Sequence, residues 1–133
     1  MSAIIREVTI GDCRLIQGDC LEVMKELGEF DAVVTDPPYG IGVDGQKKRI
    51  KGKKSDRKGF EFKGWDKERP IKALDYLSQL DCDQIVWGGN YFADRLKKGG
   101  RWLVWDKGQR IQQSDCELAY TTTQGALRIF TLN

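Results

Sequence analysis

An acid, two prolines and a tyrosine, Asp36, Pro37, Pro38 and Tyr39, stand directly behind a short apolar run in the segment VVTDPPYGIG, residues 33–42. Proline fixes φ near about −65° and carries no N–H, so this turn is stiff and its prolines offer carbonyl oxygens only. With the Asp36 carboxylate they make a cluster of acceptors without a competing donor. That suits a ligand bringing two N–H groups, namely an exocyclic amine. Tyr39 adds a flat face on which a ring can stack. An aromatic amine is a weak nucleophile because its lone pair is delocalised into the ring. Holding both N–H bonds to Asp36 and the Pro37 carbonyl favours a pyramidal nitrogen whose lone pair points at an electrophile. Such catalysis is orientational and electrostatic, with no covalent intermediate. At average composition this four-residue string arises by chance in roughly one chain of this length in one or two thousand, so we read it as signal.

Other chemistries are excluded or weakened by what the chain contains. It has no His, which removes Ser-His and Cys-His nucleophiles. The four cysteines, at 13, 20, 82 and 116, form no closely spaced pair, so neither a zinc site nor a disulfide framework is expected, and no metal is assigned. They read as buried free thiols. No apolar run approaches the roughly 20 residues that span a bilayer, and no leader for secretion is legible. Four Trp, five Phe and four Tyr in 133 residues argue for a folded chain of one domain, 1–133.

The elements that must position the acidic turn follow from periodicity and punctuation. VTIGDCRLIQ reads as a hairpin turning at Gly11-Asp12. Asp19 stands at the N-cap of a helix over CLEVMKEL, with Leu21, Met24 and Leu27 on one face and Gly28 as C-cap. FDAVVTD is a short strand that Pro37 must end. PIKALDYLSQL opens a helix at Pro70 and buries Leu74, Leu77 and Leu80. QIVWGG is a strand, NYFADRLKK a helix, and RWLVWDK, CELAYTTT and ALRIFTLN three further strands. Trp87, Trp102 and Trp105 are read as core, and Asn90 and Lys107 lie near strand ends. The alternating centre argues a parallel α/β sheet. In such sheets ligands bind beyond the carboxyl ends of strands, where Asp36 stands.

Charge is distributed unevenly. Residues 46–69 hold eleven basic and four acidic side chains, net +7, while the rest of the chain holds eleven basic and sixteen acidic, net −5. Residues 44–69 read as a basic loop, with Lys47, Lys48, Arg49, Lys51, Lys53, Lys54, Arg57 and Lys58 followed by Phe60, Phe62 and Trp65. Cations interleaved with aromatics suit phosphate contact plus base stacking.

The segment TDPPYG resembles the catalytic motif of DNA amino-methyltransferases, which methylate adenine at N6 or cytosine at N4. GDCLEVMKEL, FDAVVTDPPYGIG, IVWGGNYFADRL, GGRWLVWDKG and CELAYTT are similar to successive segments of the permuted class, in which the catalytic motif precedes the donor motif. The resemblance covers most of residues 10–133. It implies a partial Rossmann-like methyltransferase sheet, mostly parallel, with an N-terminal β-hairpin and C-terminal antiparallel strands. It implies S-adenosylmethionine as methyl donor and double-stranded DNA as partner, with the target base flipped out of the duplex. Carried over, Asp36 and the Pro37 carbonyl grip the amine, within the rigid Asp36-Pro37-Pro38-Tyr39 turn, and Tyr39 stacks on the base. Asp19, Cys20 and Asp36 lie toward the donor, although a Gly-Asp pair ahead of a helix serves equally as a cap. The DPPY form favours adenine over cytosine, and an acid rather than Asn favours a nucleobase amine over a protein amide. The family's occurrence in bacteria and their phages implies a cytoplasmic setting.

One departure matters. The family's Gly-rich donor motif, of the F-x-G-x-G kind, is absent. The resemblance therefore implies the amino-terminal, catalytic part of such an enzyme. Its strands flanking the donor would leave a gap, closed either locally or by edge pairing in a homodimer or with a missing C-terminal part. The alternatives are an inactive remnant that binds DNA without methylating it, or a methyltransferase for RNA or protein.

Overall fold

The computed structural model describes residues 1–42, 63–108 and 114–132. Strands β1 (Ile4–Ile10) and β2 (Cys13–Gly18) form an antiparallel hairpin that is a sheet of its own. Helix α1 (Cys20–Leu27) follows, capped by Asp19, whose Oδ1 accepts from the Leu21 and Glu22 amides at 3.1 and 3.2 Å. Strand β3 (Ala32–Thr35), helix α2 (Ile71–Gln79), strand β4 (Asp83–Trp87) and a 3-10 turn (Gly89–Tyr91) come next. Strands β5 (Arg101–Asp106), β6 (Cys116–Thr121) and β7 (Arg128–Thr131) complete the described elements. The second sheet runs β3-β4-β6-β5-β7. Its ladders divide evenly: β3/β4 and β5/β7 are parallel, β4/β6 and β5/β6 antiparallel. The chain is thus α/β, with a leading hairpin and a mixed sheet whose antiparallel ladders lie in its C-terminal part.

Alternation in the strands decides where the core sits. Thr35, Val86, Tyr120 and Trp102 are in register across four strands and so share a sheet face. Leu74 of α2, Val86, Phe92 and Tyr120 form the buried cluster, with Tyr39, Leu96 and Trp102 packed against it. Gln84, also buried, donates from Nε2 to the Leu77 carbonyl at 2.7 Å, which ties the end of α2 to β4.

Several expectations are corrected. Residues 90–98 form no α-helix: one 3-10 turn is followed by turns only. Two glycines precede the segment, Gly88 with a left-handed φ of +64°, and long-range contacts override its helical spacing. Phe92 is drawn instead into the core, where it is completely buried, and Asp94 is held by Arg69. In α1 the buried side chain is Val23, while Leu21, Met24 and Leu27 are half-buried. In α2, Leu74 and Leu77 are buried but Leu80 only half. The cysteines are not buried as expected: Cys82 and Cys116 are half-buried, and Cys13 and Cys20 are exposed because no layer covers the hairpin or the start of α1. Local closure of the sheet is not observed, since the hairpin pairs with no strand of the larger sheet. The outer edges of β3 and β7 have no strand partner among the described residues. Among those residues no helix is long and apolar enough to cross a membrane.

Among the described residues, Phe92 is the largest fully buried side chain. Phe92→Ala is expected to cost about 3–5 kcal/mol in urea unfolding. A loss below about 1 kcal/mol would show that the turn after β4 does not anchor the core.

Candidate functional site

Two parallel strands ending side by side create the site. Thr35 is in register with Val86, so the acidic turn leaves β3 where Trp87-Gly88 leaves β4. Proline at 37 and 38 stops the ladder, and the chain swings Tyr39 across to the end of the neighbouring strand. There the ring lies on Gly88. A Cβ at this glycine, whose φ is +64°, would fall 2.1 Å from Tyr39 Cε1. Only a residue without a side chain permits both the left-handed backbone and the approach. Gly88 N–H in turn donates to the Leu118 carbonyl at 2.9 Å, which fixes the turn to β6.

The Tyr39 hydroxyl donates to Asp36 Oδ1 at 2.6 Å. Its ring stacks on Tyr91 with centroids 4.7 Å apart and planes 15° from parallel, and meets Phe92 at 6.1 Å with a tilt of 57°. Desolvation of the phenol raises its pKa well above the usual tyrosine value, and the hydrogen bond and charge of Asp36 add to the rise, with the Glu117 charge acting in the same direction. Tyr39 is therefore a neutral donor at physiological pH, which orients the exposed Asp36 carboxylate and leaves Oδ2 for another donor.

A cleft of about 400 Å³ opens beside Tyr39, lined among others by Tyr39, Ile41, Gly88, Asn90, Tyr91 and Glu117, while Asp36 stands just outside this lining, joined to it through the Tyr39 hydroxyl. That volume lies in the range of small-molecule sites. Its charged lining residues, Asp115 and Glu117, are both acidic. Glu117 is paired with Lys107 Nζ at 2.6 Å. Acceptors dominate, so the lining favours an N–H-rich ring over a phosphate.

The structure brings Asp36, Pro37, Pro38 and Tyr39 together in one turn, with Asn90 in the cleft beside them. Asp19 and Cys20 stand elsewhere, exposed at the start of α1, and neither lines this cleft. Asp19 acts there as the helix cap, with both described bonds on Oδ1. The basic side chains Lys47, Lys48, Arg49, Lys51, Lys53, Lys54, Arg57 and Lys58 lie outside the described residues. No group of three or more metal-ligating side chains occurs among the described residues. Sequence reasoning missed Gly88, Tyr91, Asp66 and Glu117. Gly88-Gly89 behind a strand was the legible hint, whereas Asp66 is hidden as a minority acid in a basic run.

The raised Tyr39 pKa has a signed consequence for stability. The folded state holds this proton more tightly than the unfolded chain, so the contribution is complete below about pH 10 and is lost as pH rises further. Wild-type stability is therefore expected to fall more steeply than that of Tyr39→Phe above about pH 10 in parallel urea titrations. Equal slopes would mean that the phenol is not held as described.

No protein-family profile matches the chain, and no solved structure matches it. Among curated proteins it is similar to a tRNA (guanine(10)-N(2))-methyltransferase, TRMT11. It is 37% identical to the Rattus norvegicus protein over 76 residues, 57% of this chain. It is 35% identical to the Homo sapiens and Pongo abelii proteins over 80 residues. The match spans only 15% of the rat protein and 16% of the other two. Over rather more than half its length, then, the chain is similar to a small part of a tRNA methyltransferase.

Proposed function

We propose that this chain is the amine-holding part of a methyltransferase that acts on the exocyclic amino group of a nucleobase. The observation that carries the reading is the Tyr39 hydroxyl donating to Asp36 Oδ1 at 2.6 Å within a proline-stiffened turn at the end of a strand. Asp36 then has Oδ2 to accept one amine N–H, and the Pro37 carbonyl accepts the other. Tyr39 lies between Gly88 and Tyr91, so the flat surface offered to the base at the cleft is that of Tyr91, which Tyr39 backs by stacking. Of the two acceptors, the Asp36 carboxylate is the more basic, and it takes the proton that the amine sheds once its nitrogen has formed a new bond. S-adenosylmethionine, when bound, supplies an electrophilic methyl group. Asp19 and Cys20 stand away from the cleft, and we place the donor pocket on another segment or a second chain meeting the edge of β3, which has no strand partner among the described residues.

Adenine in double-stranded DNA is the substrate favoured by the D-P-P-Y string and by the basic run 47–58. A second reading, guanine in RNA, is favoured by the tRNA (guanine(10)-N(2))-methyltransferases that the chain resembles over 57% of its length. The N2 group of guanine is also an exocyclic amine with two N–H groups, so the same turn serves either base.

Transfer of labelled methyl groups, followed by nucleoside analysis, distinguishes the readings, using duplex DNA and tRNA and the chain together with its donor-binding complement. N6-methyladenine is the expected product, methylated guanine supports the second reading, and no methylated base overturns both. Asp36→Ala should reduce transfer by at least about 10²–10³-fold. Its duplex binding should remain and weaken with salt. Calorimetric titration of S-adenosylmethionine into the chain alone tests the half-site reading. No heat is expected, and micromolar binding would show that a donor pocket exists within these residues.

A further inference from the structure

The acidic turn does not hold itself in place. Its next residue, Gly40, donates its amide to Asp66 Oδ1 at 2.8 Å, and the Gly42 amide donates to the Asp66 carbonyl at 2.9 Å. Asp66 is completely buried. The approach is tight from a second direction. Gly40 has φ +72°, and a Cβ there would lie 2.7 Å from the Arg69 amide nitrogen and 3.0 Å from the Glu68 carbonyl carbon. Backbone cannot yield as a flexible side chain can, so Gly40 is seated against residues 66–69.

The same short segment reaches the other ring of the stacked pair. Arg69 Nη1 donates to the Tyr91 carbonyl at 3.1 Å. Its guanidinium also spans both oxygens of Asp94, at 2.7 and 3.2 Å. A two-pronged Arg–carboxylate contact fixes orientation as well as distance. Tyr39 arrives from the end of β3 and Tyr91 from the turn after β4, and residues 66–69 touch the backbone beside each. A burial this complete is costly for a carboxylate unless it is hydrogen-bonded. The Gly40 amide is one of the groups that offset the cost.

We infer that Asp66 is a positioning residue, which sets the Asp36–Tyr39 pair by fixing the Gly40 amide. The inference deepens the amine-holding reading and rests on it for the meaning of the site, though its geometry stands without it. Without Asp66 the Gly40 amide has no acceptor here, the turn relaxes, and the Tyr39 hydroxyl no longer meets Asp36 squarely. Arg69 supports the partner ring through a separate contact, so loss of Asp66 should disturb Tyr39 before it disturbs Tyr91.

The test reads Tyr39 directly and needs no enzymatic activity. The chain has four tyrosines. Fluorotyrosine labelling therefore gives few NMR signals, and Tyr39→Phe assigns the one of interest. Titration of the wild type gives the Tyr39 midpoint, with Tyr120 as an internal control, since its hydroxyl donates to the Lys97 carbonyl at 2.6 Å, away from Asp66. In Asp66→Ala the Tyr39 midpoint should move toward the usual tyrosine value by about one unit or more while Tyr120 stays put. In Asp66→Asn the amide oxygen can still accept from Gly40, and the Tyr39 midpoint should remain near that of the wild type. An Asp66→Ala protein with Tyr120 unchanged and Tyr39 unmoved would overturn the inference. Should Asp66→Ala fail to fold, amide exchange in the wild type decides. A Gly40 amide protected about as well as the β4 amides supports the brace, and exchange at the rate of a free loop refutes it. Absence of methyl transfer in either variant and in the wild type alike would count against the proposed function and leave the inference intact.

Discussion

Everything at the site depends on how closely a ring can approach a backbone. Tyr39 lies where a single additional carbon on Gly88 would overlap it. That approach is available because β3 and β4 are parallel and end together, so that two chain reversals occupy the same end of the sheet. The proline pair sends one reversal toward the other, and the left-handed Gly88 opens the second to receive it. The phenol is then buried enough to remain protonated and near enough to Asp36 to orient it. The stacked Tyr91, the cleft and the acidic lining all follow from the same meeting of strand ends.

The sequence made much of this legible, for physical reasons that differ between elements. The hairpin turn at Gly11-Asp12, the Asp19 cap and the strand stopped by Pro37 are local effects, governed by residues a few positions apart. They were read correctly because short-range backbone preferences decide them. The segment 90–98 was misread because its apolar spacing also suits a helix, and the competing demands on Phe92 and Asp94 come from distant parts of the chain. Asp66 failed for the same reason. Its partner, Gly40, is 26 residues away, and no local pattern marks an acid in a basic run as one that will be wholly buried. Cysteine is buried by type, yet Cys13 and Cys20 lie exposed on the hairpin and at the start of α1, where the fold and not the residue type decides.

Among the described residues, the larger sheet shows one well-covered face and two edges without a strand partner. The covered face carries Val86 and Tyr120 beneath α2, and here the amphipathic pattern of the helix and the alternation of the strands agree. The other face carries Val34 and Ile85 in register, and Val34 is 68% exposed. At the opposite edge Ile129 is equally exposed. The β3 edge, which has no neighbour among the described residues and lies next to the acidic turn, is where a further strand would both complete the sheet and approach Asp36. This is why the proposed donor half is placed at that edge, and why a second chain and a further segment are equivalent as sources of the strand.

The hairpin β1–β2 stands apart from that sheet, with Ile5, Val8, Ile10 and Leu15 exposed along it. Its ties to the rest are few: Gly18 is packed on Val23 of α1, and Ser2 and the Ala3 amide donate to the Glu26 carboxylate. A lone two-stranded ribbon is marginal in water. Local opening of the ribbon therefore costs less than opening of the mixed sheet, and fluctuations of β1 and β2 need not reach the acidic turn at the end of β3.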